Sequence, residues 1–193
     1  VFLDIYTTNI SIQRNIIHNV SYAVYATSSH NNTFTNNNFY NNSIANFWLE
    51  GANDNIVYGG NLTSSASGVL LSSSSTRNRF KNILFSNNVQ DINFTVATNN
   101  TLLNSTFNSI YSNSANNYLF VKWYASINLR DINNISVTGA NVTAYNRTGG
   151  AESSILSDSS GLAQLELIGY LHNGSTKFYV TPHTINITLN GYS

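Results

Sequence analysis

Charge is scarce in this 193-residue chain: Lys, Arg, Asp and Glu together make up 8%, against roughly 25% in ordinary soluble domains. The eight basic and eight acidic residues cancel, so no long-range field draws in nucleic acid or an anionic surface, and no nucleic-acid partner is expected. Cysteine is absent, which excludes a disulfide framework and any thiolate metal site. Methionine is absent too, even at position 1; the chain reads as a mature or excised piece whose targeting segments lie elsewhere. No apolar run approaches the roughly 18 residues of a membrane span, so membrane insertion is not expected.

What fills the chain instead is 41% hydrophobic residues, with Ser, Thr and Asn making up most of the remainder. The length allows one domain or two small ones with a buried core. Asparagine alone supplies 34 residues. Thirteen of them open an Asn-x-Ser/Thr sequon: Asn9, Asn19, Asn31, Asn41, Asn61, Asn93, Asn99, Asn104, Asn134, Asn141, Asn146, Asn173 and Asn186. Part of that number follows from composition. With so little charge, N-linked glycans at these sites would supply the solubilising layer, which predicts an extracellular or cell-surface protein.

The asparagine-rich stretches repeat. NISIQRNII from Asn9, NTFTNNNFY from Asn32, NIVYGGNLT from Asn55, NRFKNILFS from Asn78 and NTLLNSTFN from Asn100 align at spacings of 23, 23, 23 and 22. Seven places after each leading Asn stand Ile16, Phe39, Leu62, Phe85 and Phe107; two places after it stand Ser11, Phe34, Val57, Phe80 and Leu102. A third, alternating stretch recurs as Tyr22/Val24, Phe47/Leu49, Val69/Leu71, Ile92/Phe94 and Tyr118/Phe120. Period 2 means strands with alternate side chains inward. A coil of that length cannot bury its apolar face alone, but stacked coils can, which predicts a parallel β-helix. Asn9, Asn32, Asn55, Asn78 and Asn100 would form one structural ladder, since Asn tolerates the left-handed conformation of a corner and stacked amides bond to one another.

On these rungs, residues 1–117 resemble the right-handed parallel β-helix repeats of the NosD-like and pectate-lyase-like superfamily, especially the Asn-rich versions of archaeal and bacterial surface proteins. From Tyr118 the period stops. Several short alternating segments with turn signals then suggest a small antiparallel sandwich over residues 118–193. VTGANVTAY (Val137 to Tyr145), SDSSGLA (Ser157 to Ala163) and TPHTINITLNGY (Thr181 to Tyr192) make this part similar to the carboxypeptidase-regulatory-like, transthyretin-like module. That resemblance implies a non-catalytic spacer or adhesive element whose last strand is missing or supplied from elsewhere. The first turn, Asp131-Ile132-Asn133-Asn134, departs from the family's pattern and leaves the hairpin type open.

Many β-helices of this superfamily cleave polysaccharides, which makes the repeat positions of the acids decisive. Asp4, Glu50, Asp54 and Asp91 are the only ones in the helical part. Asp54, Asp91 and Glu50 fall at different repeat positions, so no carboxylate pair at hydrolase spacing results, and Asp54 reads as a turn residue. Arg79 and Lys81 flank inward Phe80 and read as a solvated face. His18, His30, His172 and His183 share no column, so no metal site is expected and no cofactor or catalytic residue is assigned. Trp48, between Phe47 and Leu49, should face outward and could contact carbohydrate; Trp123 should seal the junction of the two parts.

The expectation is therefore an all-β, glycosylated, extracellular structural protein with no enzymatic activity. It would be a subunit of a cell-surface polymer such as a filament, sheath or S-layer. Assembly would run head to tail through open strand edges, with Val1, Phe2, Leu3, Ile5 and Tyr6 at one end and Tyr192 at the other. The alternatives are a carbohydrate-binding or adhesive module with polysaccharide as partner, and the remnant of a polysaccharide lyase or hydrolase.

Overall fold

The computed structural model describes residues 1–4, 6–114 and 116–189; Ile5 and Tyr192 lie outside the described residues. The described residues contain strands and no helix. They divide into two compact units: Val1–Val121 with Leu171–Phe178, and Lys122–Tyr170 with the chain from Tyr179 on.

The first unit is a β-solenoid of about five coils, as the repeat predicts. One face stacks Phe2–Leu3, Tyr22–Thr27, Ala45–Glu50, Ser67–Ser72, Gln90–Phe94 and Ile110–Ser112 in that order, each strand parallel to the next. A second, bent face is led by the eight-residue strands Thr33–Tyr40 and Ile56–Thr63. Each is turned midway by a residue with positive φ, Asn36 and Gly59 respectively. Neighbouring coils use two short strands on either side of that bend, Ser11–Gln13 with Ile16–His18 and Arg79–Lys81 with Leu84–Ser86.

Inside, like residues superpose. Phe34, Val57, Phe80 and Leu102 form one column; Phe39, Leu62 and Phe85 form a second; Val24, Phe47, Val69 and Ile92 form a third. All are 3% exposed or less. At about 1.5–3 kcal/mol for each large apolar side chain removed from water, these columns carry most of the stabilisation of the unit. Phe47 ties columns together across the interior, edge-on to Phe34 at 5.1 Å and tilted against Phe39 at 5.2 Å.

The first coil differs from the alignment by one residue. Ile12, not Ser11, pairs with Phe34, and Ile17, not Ile16, pairs with Phe39. A one-residue slip exchanges the faces of a strand, and Ile16 is accordingly 65% exposed. The third column also shifts: Val24 and Ala26 point inward while Tyr22 lies opposite Ala45, and the last strand of that face is Ile110–Ser112 rather than the Tyr118/Phe120 segment.

In the second unit, Asn141–Tyr145 is the centre of a three-stranded antiparallel sheet between Ala151–Leu156 and Thr184–Thr188. Val142 and Ala144 of that sheet share a buried cluster with Ala163, Leu165 and Leu167, and Ala125, Ile127 and Leu129 pack against it. Three turns share one construction. Oδ1 of Asp131, of Asn146 and of Asp158 each accepts the N–H groups two and four residues on, at 2.8–3.0 Å. The residue three places on (Asn134, Gly149, Gly161) has positive φ. This is an Asx-type loop, and it accounts for Asp131-Ile132-Asn133-Asn134 without the glycine expected there. Its bonds to Ser160 and Leu162 hold the Asp158 carboxyl below the usual carboxylate range.

Candidate functional site

The corners of the solenoid are where asparagine acts. Asn9, Asn31, Asp54, Arg77 and Asn99 occupy one corner; Arg14, Asn36, Gly59, Asn82 and Asn104 a second; Asn19, Asn41, Ser64 and Asn87 a third. All of them have φ of 46° to 64°. Asn and Gly enter this left-handed region at least cost; Arg14 and Arg77 are the bulky exceptions.

The residue after each corner turns inward and, where its side chain permits, grips the coil before it. Asn32 Oδ1 accepts the N–H of Ile10 at 2.9 Å, Asn55 Oδ1 that of Asn32 at 2.9 Å, Asn78 Oδ1 that of Asn55 at 3.0 Å, and Asn100 Oδ1 that of Asn78 at 3.0 Å. The same amides donate back to that coil: Asn32 to the Thr7 carbonyl, Asn55 to Ser29, Asn78 to Ala52 and Asn100 to Ser75, at 2.8–3.0 Å. All four are fully buried. Asn9 does not belong to this ladder: Ile10 stands in register with Asn32, and exposed Asn9 stacks in the corner column with Asn31. The left-handed conformation thus falls to the residue before the ladder, not to the ladder itself. The second and third corners repeat the device with Asn37, Ser105, Asn42, Ser65 and Asn88, a set not singled out by sequence, although each follows a corner residue by one place.

Sequon asparagines lie elsewhere. Asn9, Asn19, Asn31, Asn41, Asn61, Asn99, Asn104, Asn134, Asn141 and Asn186 are exposed, whereas Asn93, Asn146 and Asn173 are half-buried. Oδ1 of Asn93 and of Asn173 is shielded from solvent and has no hydrogen-bond partner. Seven of the ten exposed ones, Asn141, Asn186 and Asn61 excepted, have positive φ.

At the first coil, Val1, Phe2 and Tyr6 are 45%, 60% and 80% exposed, but Leu3 is 7% exposed and belongs to the core. Leu3 therefore presents no surface to a partner. Phe2 begins an outward strip on the first face: it pairs with Tyr25, and Tyr25 pairs with Trp48. Ring centroids lie 5.4 Å apart for Phe2–Tyr25, 4.7 Å for Tyr25–Trp48 and 5.2 Å for Tyr22–Trp48. Trp48 faces outward as the alternation implies, half-buried, its Nε1–H donating to Ser72 Oγ at 2.9 Å. The Tyr25 hydroxyl donates to the Glu50 carboxylate. That bond, followed by burial and the carboxylate's charge, pushes the Tyr25 phenol up to about 12.

The remaining acids are accounted for by contacts within the fold. Asp54 receives Arg77 Nε and Nη2 at 2.7 and 2.6 Å, which lowers its carboxyl below the usual range. Buried Asp91 accepts Asn88 Nδ2 at 2.9 Å and the Asn108 N–H at 2.7 Å. Among the described residues no three His, Asp or Glu side chains converge on a metal position, and no helix is long and apolar enough to cross a membrane. In the second unit, Trp123 is 44% exposed rather than buried, and His183 Nε2 lies 3.0 Å from Glu152 Oε2.

Comparison with known proteins agrees with this geometry. No curated protein and no solved structure matches the chain. A family model described as a right-handed beta helix region matches residues 3–151. Such regions occur both in enzymes and in proteins without activity. Spanning more than two thirds of the sequence, the match places this chain in the right-handed β-helix family.

Proposed function

We propose that the chain is a non-catalytic extracellular structural module, N-glycosylated at its outward corners, and a subunit of a cell-surface polymer such as a filament, sheath or S-layer. The supporting observation is the division of labour among the asparagines. The four ladder asparagines, Asn32, Asn55, Asn78 and Asn100, are fully buried, while ten of the thirteen sequon side chains stand exposed. A low-charge surface covered in this way would stay soluble through neutral glycans. Coils joined by a repeated set of backbone and amide bonds offer that same chemistry to a second copy, and a head-to-tail contact of this kind generates an open polymer. On this reading the solenoid is of the NosD-like type over residues 1–117. The second unit is on this reading a transthyretin-like sandwich, for which the shared cluster of Val142, Ala144, Ala163 and Leu165 is the support. Electron microscopy with light scattering tests assembly: polymers at high concentration are expected, and monodisperse monomers would overturn it. Intact mass tests glycosylation in material from a glycosylating host, where a mass equal to the bare 21.2 kDa chain would refute it.

A second reading, an adhesive module for carbohydrate, is favoured by the Phe2–Tyr25–Trp48 strip with Glu50 at its rim. A glycan array decides it; Trp48→Ala should abolish any binding seen.

A further inference from the structure

The geometry of the second unit points to a binding site for a single hexopyranose ring, held between Trp123 and the His183–Glu152 pair. The inference stands apart from the polymer proposal and from the Trp48 strip. A cavity of about 160 Å³ is lined by Trp123, Tyr124, Leu167, Gly169, Thr181 and His183 among others. Its origin lies in the strand Tyr118–Asn128. Ala125 and Ile127 of that strand pack against the buried cluster, as does Leu129 just beyond it, and Trp123 shares the parity of Ala125 and Ile127 along the strand, so its side chain falls on the same face. Trp123 is nonetheless 44% exposed. Gly169 stands two places beyond Leu167, the last cluster residue on its strand, and contributes no side chain to fill the space.

The polar wall is fixed in advance. Glu152 Oε1 accepts the Ile168 N–H at 2.5 Å, and Oε2 lies 3.0 Å from His183 Nε2, with both side chains only 10% exposed. A carboxylate bonded at both oxygens holds the imidazole in place through Nε2 and leaves Nδ1 outside that pair. Ligand sites of this type combine an apolar, aromatic lining with a few placed polar groups.

These features select the ligand chemistry. No Lys, Arg, Asp or Glu lines the cavity, and Glu152, bonded to His183, is already engaged, so a charged ligand meets no counter-charge among the lining residues. An aromatic wall suits the C–H face of a sugar ring. The imidazole of His183 and the hydroxyl of Thr181 suit its rim of hydroxyl groups, which both donate and accept. The volume is below that of drug-sized pockets, which run from roughly 300 Å³ upward, and fits one ring rather than an oligosaccharide.

The test is titration of the whole chain with methyl glycosides of glucose, galactose and mannose and with N-acetylglucosamine. It is read by His183 imidazole resonances in NMR and by tryptophan fluorescence in a Trp48→Phe background. At least one pyranoside should bind saturably in the millimolar range, moving the His183 signals and leaving those of His18 and His30 in place. Trp123→Ala and His183→Phe, each checked for retained circular dichroism, should each weaken that binding at least tenfold. The NMR arm needs no variant, so a folding defect in either one leaves the proposal testable. Absence of saturable binding by all four probes overturns it. So does binding of indole without any pyranoside, or binding unchanged by Trp123→Ala. None of these outcomes bears on polymer formation.

Discussion

Asn78 holds Asn55 through a single oxygen: its Oδ1 accepts both the backbone N–H and the Nδ2–H of Asn55, each at 3.0 Å, with both residues fully buried. Asn78 Nδ2 meanwhile donates to Ala52 O at 2.8 Å and to Asn100 Oδ1 at 3.1 Å. Asn78→Ala would orphan a buried N–H and a buried carbonyl at once. At about 1–3 kcal/mol for each unsatisfied group, a loss of at least about 2 kcal/mol is expected in urea unfolding. Asn31→Ala, one corner residue outside the ladder, should cost far less. Equal losses for the two would contradict the ladder's role.

Gly60 is irreplaceable for a steric reason. Its φ is +97°, and a Cβ there would lie 2.1 Å from the Asn37 carbonyl oxygen and 2.8 Å from the Asn37 nitrogen. Both obstacles are backbone atoms of the adjacent coil, so neither can swing away. Gly60→Ala should reduce soluble yield or lower stability by more than about 2 kcal/mol, whereas Gly149→Ala, where nothing lies within 4 Å of the added Cβ, should remain folded despite its φ of +85°.

The Tyr25–Glu50 bond predicts alkaline behaviour. A phenol raised to about 12 titrates well after an ordinary tyrosine at 10. Since the folded value exceeds the unfolded one, its contribution to stability is complete below pH 10 and is lost as pH rises through 12. Spectrophotometric titration of Glu50→Gln against the parent should show one tyrosine moving back toward 10; superimposable curves would refute the contact.

At the acidic side the relevant group is His172, which is 5% exposed, lies edge-on to Phe94 at 5.9 Å and has an Nδ1 without a partner. Burial first, and Lys177 second, depress its value below the ordinary 6.5. The unfolded chain therefore binds the proton at a higher pH than the folded one. Stability should be full above pH 6.5 and fall below it, by at most about 1.4 kcal/mol per pH unit, until the folded value is reached. His172→Gln should flatten that slope in denaturant melts between pH 5 and 7.

Glycan occupancy should follow exposure if the proposed glycosylation is right. Peptide mapping of material from a glycosylating host should find sugar among the ten exposed sequons and none at Asn93 or Asn173, whose amide oxygens are shielded from solvent. Full occupancy at Asn93 would mean that this half-buried strand position opens before it is modified.

Much of the solenoid was legible because its physics is periodic. Phe34, Val57, Phe80 and Leu102 recur at the coil length, and a column must repeat its apolar residue wherever the next coil covers it. The misreading of the first coil has an equally local cause: Asn9 looks like a ladder asparagine because a corner asparagine and a ladder asparagine are neighbours in Asn31-Asn32 and Asn99-Asn100. Ile10 and Ile12 fill the two positions one place later, and only the hydrogen bond from Ile10 to Asn32 reveals the shift.

Asn-x-Thr carries the same ambiguity. At Asn31-Asn32-Thr33 and Asn99-Asn100-Thr101 the motif is also what a corner requires: a left-handed residue, a buried amide and an outward strand residue.

The sequence by itself determined an all-β fold, a first part that coils with a period of 22 to 23 residues, and the interior columns of Phe34, Val57, Phe80 and Leu102 and of Phe39, Leu62 and Phe85. Those follow from alternation and repetition, which are properties of order along the chain. Tertiary structure alone decided which asparagines turn corners and which grip the neighbouring coil. It also decided that Leu3 is interior, that Tyr25 meets Glu50, and that His183 meets Glu152 beside Trp123. Each of these depends on residues far apart in sequence arriving within hydrogen-bonding distance, and a shift of one residue in register changes them all.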